Sequence, residues 1–257
     1  MPHRLAEYRS MLACAVEHGY RIISVEDWAA IVQSKSQLSQ QSQQSSLANQ
    51  KLLVLRHDVD TDPTQMLLTA EIEYEFKAGA SYFFRLATLN SRVVRTVAER
   101  GFHVSYHFEE IASFAKQHRL LSRAQIEARM PEIHALFAAN ITELRQRFGL
   151  PMRLVCSHGD WINRRLGLMN HALLADQSFR DQIGIDFETY DAALVQPMKS
   201  YVSDYPAPFW WKPNPPLAHF KHGDSPLGIL THPRQWRSSI HNATDIVQRA
   251  IEGFRYR

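Results

Sequence analysis

Leu52-Leu53-Val54-Leu55-Arg56-His57-Asp58-Val59-Asp60, with Thr61-Asp62-Pro63 behind it, joins an apolar run to a dense set of charges. The aliphatic residues at its head read as a buried strand. Side chains alternate along a strand, so Arg56, Asp58 and Asp60 share one face while His57 and Val59 take the other. Two carboxylates on one side of a strand end repel each other unless something relieves the charge. A metal ion, a shared proton or an arginine would each serve. The structural alternative is that such aspartates cap the helix that follows. Asp62, with Pro63 at the first helical position, already reads as that cap. Asp58 and Asp60 are then left for chemistry.

On either side of this strand, helical and extended patterns alternate. Residues 4–19 read as a helix ended by Gly19, 21–24 as a short strand and 26–32 as helical turns. After Pro63, Leu68, Ile72 and Phe76 fall on one helical face and Gly79 closes the helix. Further strands are expected at 81–86, 102–107, 153–157, 183–187, 199–203 and 227–231. Helices are expected at 91–100, at 122–148 with a break near Pro131, and at 242–254. Strands separated by helices imply a parallel sheet, and about seven such units favour an α/β barrel over an open sheet. No internal repeat is visible. Residues 33–50 are nearly all Gln, Ser and other polar types, the composition of a mobile loop inside one domain spanning 1–257.

The bulk composition narrows the function. A net charge of +3 with scattered Lys and Arg gives no basic block for nucleic acid. Cys14 and Cys156 cannot build a disulfide framework, so a reducing, cytoplasmic setting is expected. No run is apolar enough to span a bilayer, and the stretch 11–16 is too short for a signal-peptide core.

In βα barrels the chemistry sits where strands end. Asp58, Asp60, His107, His158, Asp160, Asp204 and His232 all lie at or just after expected strand ends. His103 and His107 are four apart, but the alternation says strand, with His107 at its end and His103 deeper, as a hydrogen-bonded core residue. Glu109 and Glu110 are either ligands or acids favoured at a helix N-terminus. His158 lies on a glycine turn, where a histidine is either a ligand or merely exposed. His232 precedes Pro233, which biases its backbone to an extended shape. Trp210, in the loop 209–213, either stacks on a sugar ring or plugs a barrel end. Arg56 either holds Asp58 or points into the barrel. His134, His171, His219, His222 and His241 read as surface or loop residues without a role.

These markers, in this order, resemble the polysaccharide deacetylase superfamily. These are metal-dependent carbohydrate esterases, including chitin and peptidoglycan deacetylases. The similarity is greatest to the branch with an Arg-His-Asp-Val-Asp signature, here residues 56–60. It covers residues 52–236 and implies a distorted (β/α) barrel with fewer than eight strands. It implies Asp58 as general base and Asp60 as metal ligand. Residues 101–107 look like the family's Gly-His-Glu-Val-Gly-x-His segment, making His107 a metal ligand. Residues 230–233 look like its Leu-x-His-Pro marker, making His232 the general acid. Residues 201–204 look like the strand whose aspartate, here Asp204, orients that histidine. One departure stands out: the better-known members carry a second histidine at the place of Ile111. His158 is then the first choice as third ligand, ahead of Glu109 or Glu110.

The expected activity is metal-assisted removal of an N-acetyl or O-acetyl group from a sugar or glycan precursor, with zinc as the expected ion. Arg56, Asp160 and Trp210 are the expected substrate contacts. A sugar-binding barrel with a degraded metal site is one alternative. A haloacid dehalogenase-like phosphatase is another, because a strand ending in Asp-x-Asp also opens that fold. That reading explains neither His107 nor His232.

Overall fold

The structure is a computed structural model and describes residues 4–37, 50–204, 211–236 and 251. Its strands are β1 (Tyr20–Ile23), β2 (Lys51–Val59), β3 (Ser81–Phe84), β4 (His103–Phe108), β5 (Leu154–Ser157), β6 (Phe187–Glu188), β7 (Ser200–Ser203) and β8 (Leu227–Thr231). They form a mostly parallel, curled sheet of the half-barrel kind, in the order β6-β5-β4-β3-β2-β8-β7, with β1 paired to β2 off that path. This is the α/β, barrel-like class expected from the alternation.

By its internal contacts the chain divides into two compact units. The first comprises Met1–Tyr82, Ala87–His103 and Ala192–Arg257. Strand β2 is its axis, buried at every residue but Lys51. Such a strand is covered on both faces, which is why it reads as a continuous apolar run. β1 pairs with its first half, Tyr20 against Lys51 through Ile23 against Val54. β8 pairs along it from Leu53↔Leu227 to His57↔Thr231, and β7 flanks β8 from Ser200↔Leu227 to Ser203↔Leu230. Around them lie α1 (Leu5–Glu17), α2 (Val25–Gln37), α3 (Met66–Glu75) and α4 (Ser91–Glu99). In α4 the cap is local: Asn90 accepts from the amides of Arg92 and Val93, while Val93, Val94 and Val97 face the core. The second unit comprises Phe83–Leu86 and Val104–Asp191. It contains α5 (Glu110–His118), α6 (Arg123–Glu127), α7 (Met130–Phe148) and α8 (Trp161–Leu166). The break between α6 and α7 falls just before Pro131, as its missing amide requires.

Several expectations are corrected. Asp62 does not cap a helix: it adopts φ 47° before a 3-10 turn at Pro63–Gln65, makes no capping bond, and accepts from the Thr64 hydroxyl. Leu68 is exposed, and the buried face of α3 is Met66, Thr69, Ala70, Ile72 and Glu73. Gly79 lies beyond the end of that helix, and its role is close approach. A Cβ there would lie 2.9 Å from the Ser24 amide nitrogen. His103 is exposed rather than a core residue. Residues 183–187 are not a strand: a helix runs through Ile183 and only Phe187–Glu188 pair. His219 is buried on Asp224, and His134 stacks on Phe179, so neither is a plain surface histidine. The helix α2 continues to Gln37, into the region expected as loop. Residues 38–49 of that loop, Trp210, His241 and nearly all of the expected helix 242–254 lie outside the described residues.

Candidate active site

In the first unit the carboxyl ends of β2, β7 and β8 carry Asp58, Asp60, Asp204 and His232. Arg56 and Asp58 sit two apart on one face of β2 and form a two-pronged ion pair. Arg56 Nε donates to Asp58 Oδ1 and Nη2 to Oδ2, both at 2.7 Å. Both side chains are buried. Guanidinium and carboxylate match as planar forks, so the pair fixes orientation as well as charge. The arginine alternative for relieving the Asp58 charge is therefore realised, and Arg56 holds Asp58.

Asp204, fully buried, orients His232 with unusual completeness. Its Oδ1 accepts from His232 Nδ1 at 2.6 Å. Its Oδ2 accepts from the His232 amide at 2.8 Å and the Thr231 hydroxyl at 2.9 Å. Trp236 Nε1 donates to that hydroxyl at 2.6 Å. With Nδ1 bound this way, Nε2 is the nitrogen turned to the site, 3.6 Å from Asp60 Oδ2. Burial alone would push the His232 pKa down. The charge and hydrogen bond of Asp204, with Asp60 and Asp58 behind them, outweigh it and raise the value to about 9.

On the opposite face of β2, His57 Nε2 donates to Glu73 at 2.6 Å, and the hydroxyls of Tyr8 and Tyr82 donate to the same carboxylate. The His57 ring stacks on Tyr82 at 4.4 Å. Burial, and then the Glu73 charge, drive both tyrosines well above their ordinary pKa. The sequence reading missed Glu73. The clue was present: Met66, Ala70 and Glu73 fall at i, i+4 and i+7, which puts an acid on a buried stripe.

The second unit gathers imidazoles. His107, at the end of β4 and opposite Cys156 in the β4–β5 register, donates from Nδ1 to the Cys156 carbonyl at 3.1 Å. His158 donates its amide to the Phe108 carbonyl and its Nδ1 to Glu109 Oε2 at 2.9 Å. The two rings meet edge to face, with centroids 5.1 Å apart. Glu109 also takes Arg85, whose Nη2 lies 2.7 Å away. Burial would raise its carboxyl, but the bonds from His158 and Arg85 hold it at about 2. Glu110 turns inward to Tyr106 and Asn140, and burial raises it. Asp160 caps α8 through the Ile162 amide and pairs with Lys116 at 2.7 Å, a structural use for a residue expected to touch substrate. Ile111 is fully buried in α5.

Asp, His and Cys donors that could hold a metal ion are clustered among the described residues. Within the second unit, Glu109, His158 and Asp160 offer atoms within 4.8 Å of one another. Their carboxylates already face Arg85 and Lys116, so this trio suits a cation poorly. The imidazoles fit better. In both His107 and His158 the Nδ1 proton is committed to an oxygen, which leaves the ligating lone pair on Nε2. That is the arrangement typical of metal-bound histidines.

No protein-family model matches the chain, and no curated protein matches it. Solved structures similar to it include a CE4 family pseudoenzyme from Bacillus anthracis, at 14% identity over 81% of this chain with TM-score 0.37. A mutant of that pseudoenzyme with restored enzymatic activity is also similar, at 14% identity over 80% with TM-score 0.40. The chain spans 63% and 64% of the length of those two structures.

Proposed function

We propose that this protein is a metal-dependent hydrolase that removes an acetyl group from a sugar or glycan precursor, with residues 1–257 acting as one domain. The observation that carries this reading is the pairing, at neighbouring strand ends, of a clamped carboxylate with a carboxylate-oriented histidine. Asp58 is fixed by Arg56 at the end of β2, and His232 is fixed by Asp204 at the end of β8. Hydrolysis of an amide needs one group to remove a proton from water and another to protonate the leaving nitrogen.

Asp60, His107 and His158 are the proposed ligands of a divalent ion, zinc by preference. When bound, it would polarise the acetyl carbonyl and acidify water. Asp58 accepts the proton of the attacking water at a carboxylate oxygen that Arg56 holds in place. His232 delivers its Nε2 proton to the leaving amine, with Asp204 keeping Nδ1 protonated and the ring aligned. The substrate is a carbohydrate and the setting cytoplasmic, with no role for nucleic acid.

The test is acetate release by the zinc-loaded protein from N-acetylated chito-oligosaccharides and O-acetylated xylan. Turnover is expected on one of them, and none on either would overturn the reading. His232→Ala should slow amide cleavage more than activated-ester cleavage, because a good leaving group needs little protonation. A second reading, sugar binding without turnover, is favoured by buried Ile111 at the place of a family ligand. Sugar binding measured by calorimetry with no acetate released would select it.

A further inference from the structure

Behind the Arg56–Asp58 pair lies a contact that depends on a glycine. Tyr201 on β7 and Gly228 on β8 are direct register partners, and Gly228 is in turn the partner of Val54 on β2. Arg56 lies two residues beyond Val54, on the same face of the sheet. Tyr201 and Arg56 are therefore separated by a whole intervening strand, two spacings of about 4.8 Å. Their side chains nevertheless meet: Arg56 Nη1 donates to the Tyr201 hydroxyl at 3.2 Å. The route runs over Gly228. A Cβ at that position would lie 2.6 Å from Tyr201 Cδ2, 3.1 Å from Cε2 and 2.7 Å from Met198 Sδ. Gly228 is not in the left-handed region of backbone space, so its backbone does not demand glycine. Space for the ring does.

We propose that Tyr201 and Gly228 are positioning residues, through which the tyrosine crosses the bare backbone of β8 to hold Arg56 and so aim the Asp58 carboxylate. The inference rests on the reading of Asp58 as the base. The guanidinium has two sides: Nε and Nη2 face Asp58, while Nη1 is anchored on Tyr201. Without that anchor the fork can swing about its stem and carry the carboxylate with it. Proton transfer is sensitive to displacements of that size.

Tyr201→Phe removes the hydroxyl and keeps the ring over Gly228. The expected result is a fall in kcat of about tenfold, the scale of one hydrogen bond to a charged group, with KM, bound zinc and thermal midpoint near wild type. The Arg56 Nε–H resonance, sharp and slowly exchanging when the ion pair is rigid, should broaden and exchange faster. Gly228→Ala should expel the ring and reproduce both effects. A ring that only packs would leave Tyr201→Phe silent. An unchanged Arg56 resonance in Tyr201→Phe overturns the proposal, whatever Gly228→Ala does to folding. The resonance needs no turnover, so absence of deacetylation in the wild-type protein would defeat the functional reading while this test still gave its answer.

Discussion

At the end of β2, Asp58 is gripped by an arginine on its own strand, and Asp60 approaches a histidine at 3.6 Å. After β5, Asp160 caps a helix and binds Lys116, and Glu109 is divided between Arg85 and His158. Both regions place acids and histidines just beyond parallel strands, where a barrel keeps its chemistry. In the first unit Asp58 is clamped by an arginine and Asp204 orients a histidine. In the second the acids are neutralised or used as caps, and the imidazoles are what remains. A carboxylate at a strand end is thus uninformative until its partner is known. One paired to a lysine and a helix N-terminus is structural, whereas Asp204, which orients a histidine at the neighbouring strand end, is a candidate for chemistry.

The sharpest way to break this contrast is Asp58→Asn, which keeps shape and removes basicity. Turnover of a confirmed acetylated substrate should fall by about 10² to 10⁴, with bound metal unchanged. Wild-type turnover in that variant would end the assignment. The proposed ligands give a second test. Asp60→Ala combined with His107→Ala should abolish zinc measured by elemental analysis, while Asp160→Ala should keep it. Zinc retained by the double variant, or lost with Asp160→Ala, would reverse the roles given to the two sets of acids.

Smaller effects sharpen the comparison within the first unit. Glu73→Ala leaves His57, Tyr8 and Tyr82 with buried unsatisfied donors, each costing about 1–3 kcal/mol. A loss of about 3 kcal/mol or more in urea unfolding is expected. A loss under about 1 kcal/mol would show that the network is better solvated than it looks. The smallest effect concerns Asp224, which hydrogen bonds from His219 and then His222 hold at about 2, below the usual 3.8. A depressed carboxyl stabilises the fold above its unfolded pKa, and that contribution fades as pH falls from about 4 to about 2. The gap in urea midpoint between wild type and Asp224→Asn should therefore narrow between pH 5 and pH 2.5. A constant gap would mean that the histidines pack against Asp224 without a charge contribution.

The α/β class was legible because period-2 apolar runs and period-3.6 faces survive in a single chain, and β8 was located to the residue at Leu227–Thr231. The positions of His107, Asp204 and His232 at strand ends followed from the same patterns. Boundaries set by side-chain competition were not legible. Asp62 looked like a cap by type, yet its backbone turned left-handed and no capping bond formed. Leu68 looked like core by type, yet Glu73 took the buried stripe, because three donors awaited it there.

The sequence by itself determined the alternation of strands and helices, the shared face of Arg56 and Asp58 on their strand, and the residue types gathered at the strand ends. These are local properties, since residues two apart on a strand share a face wherever the strand lies. Only the tertiary structure decided that Asp204 takes the Thr231 hydroxyl beside His232, that Glu109 is spent on Arg85 and His158, and that Tyr201 reaches Arg56 over Gly228. Each joins residues far apart in sequence and depends on which strand lies beside which. The sequence pattern constrains that register only weakly, and packing fixes it.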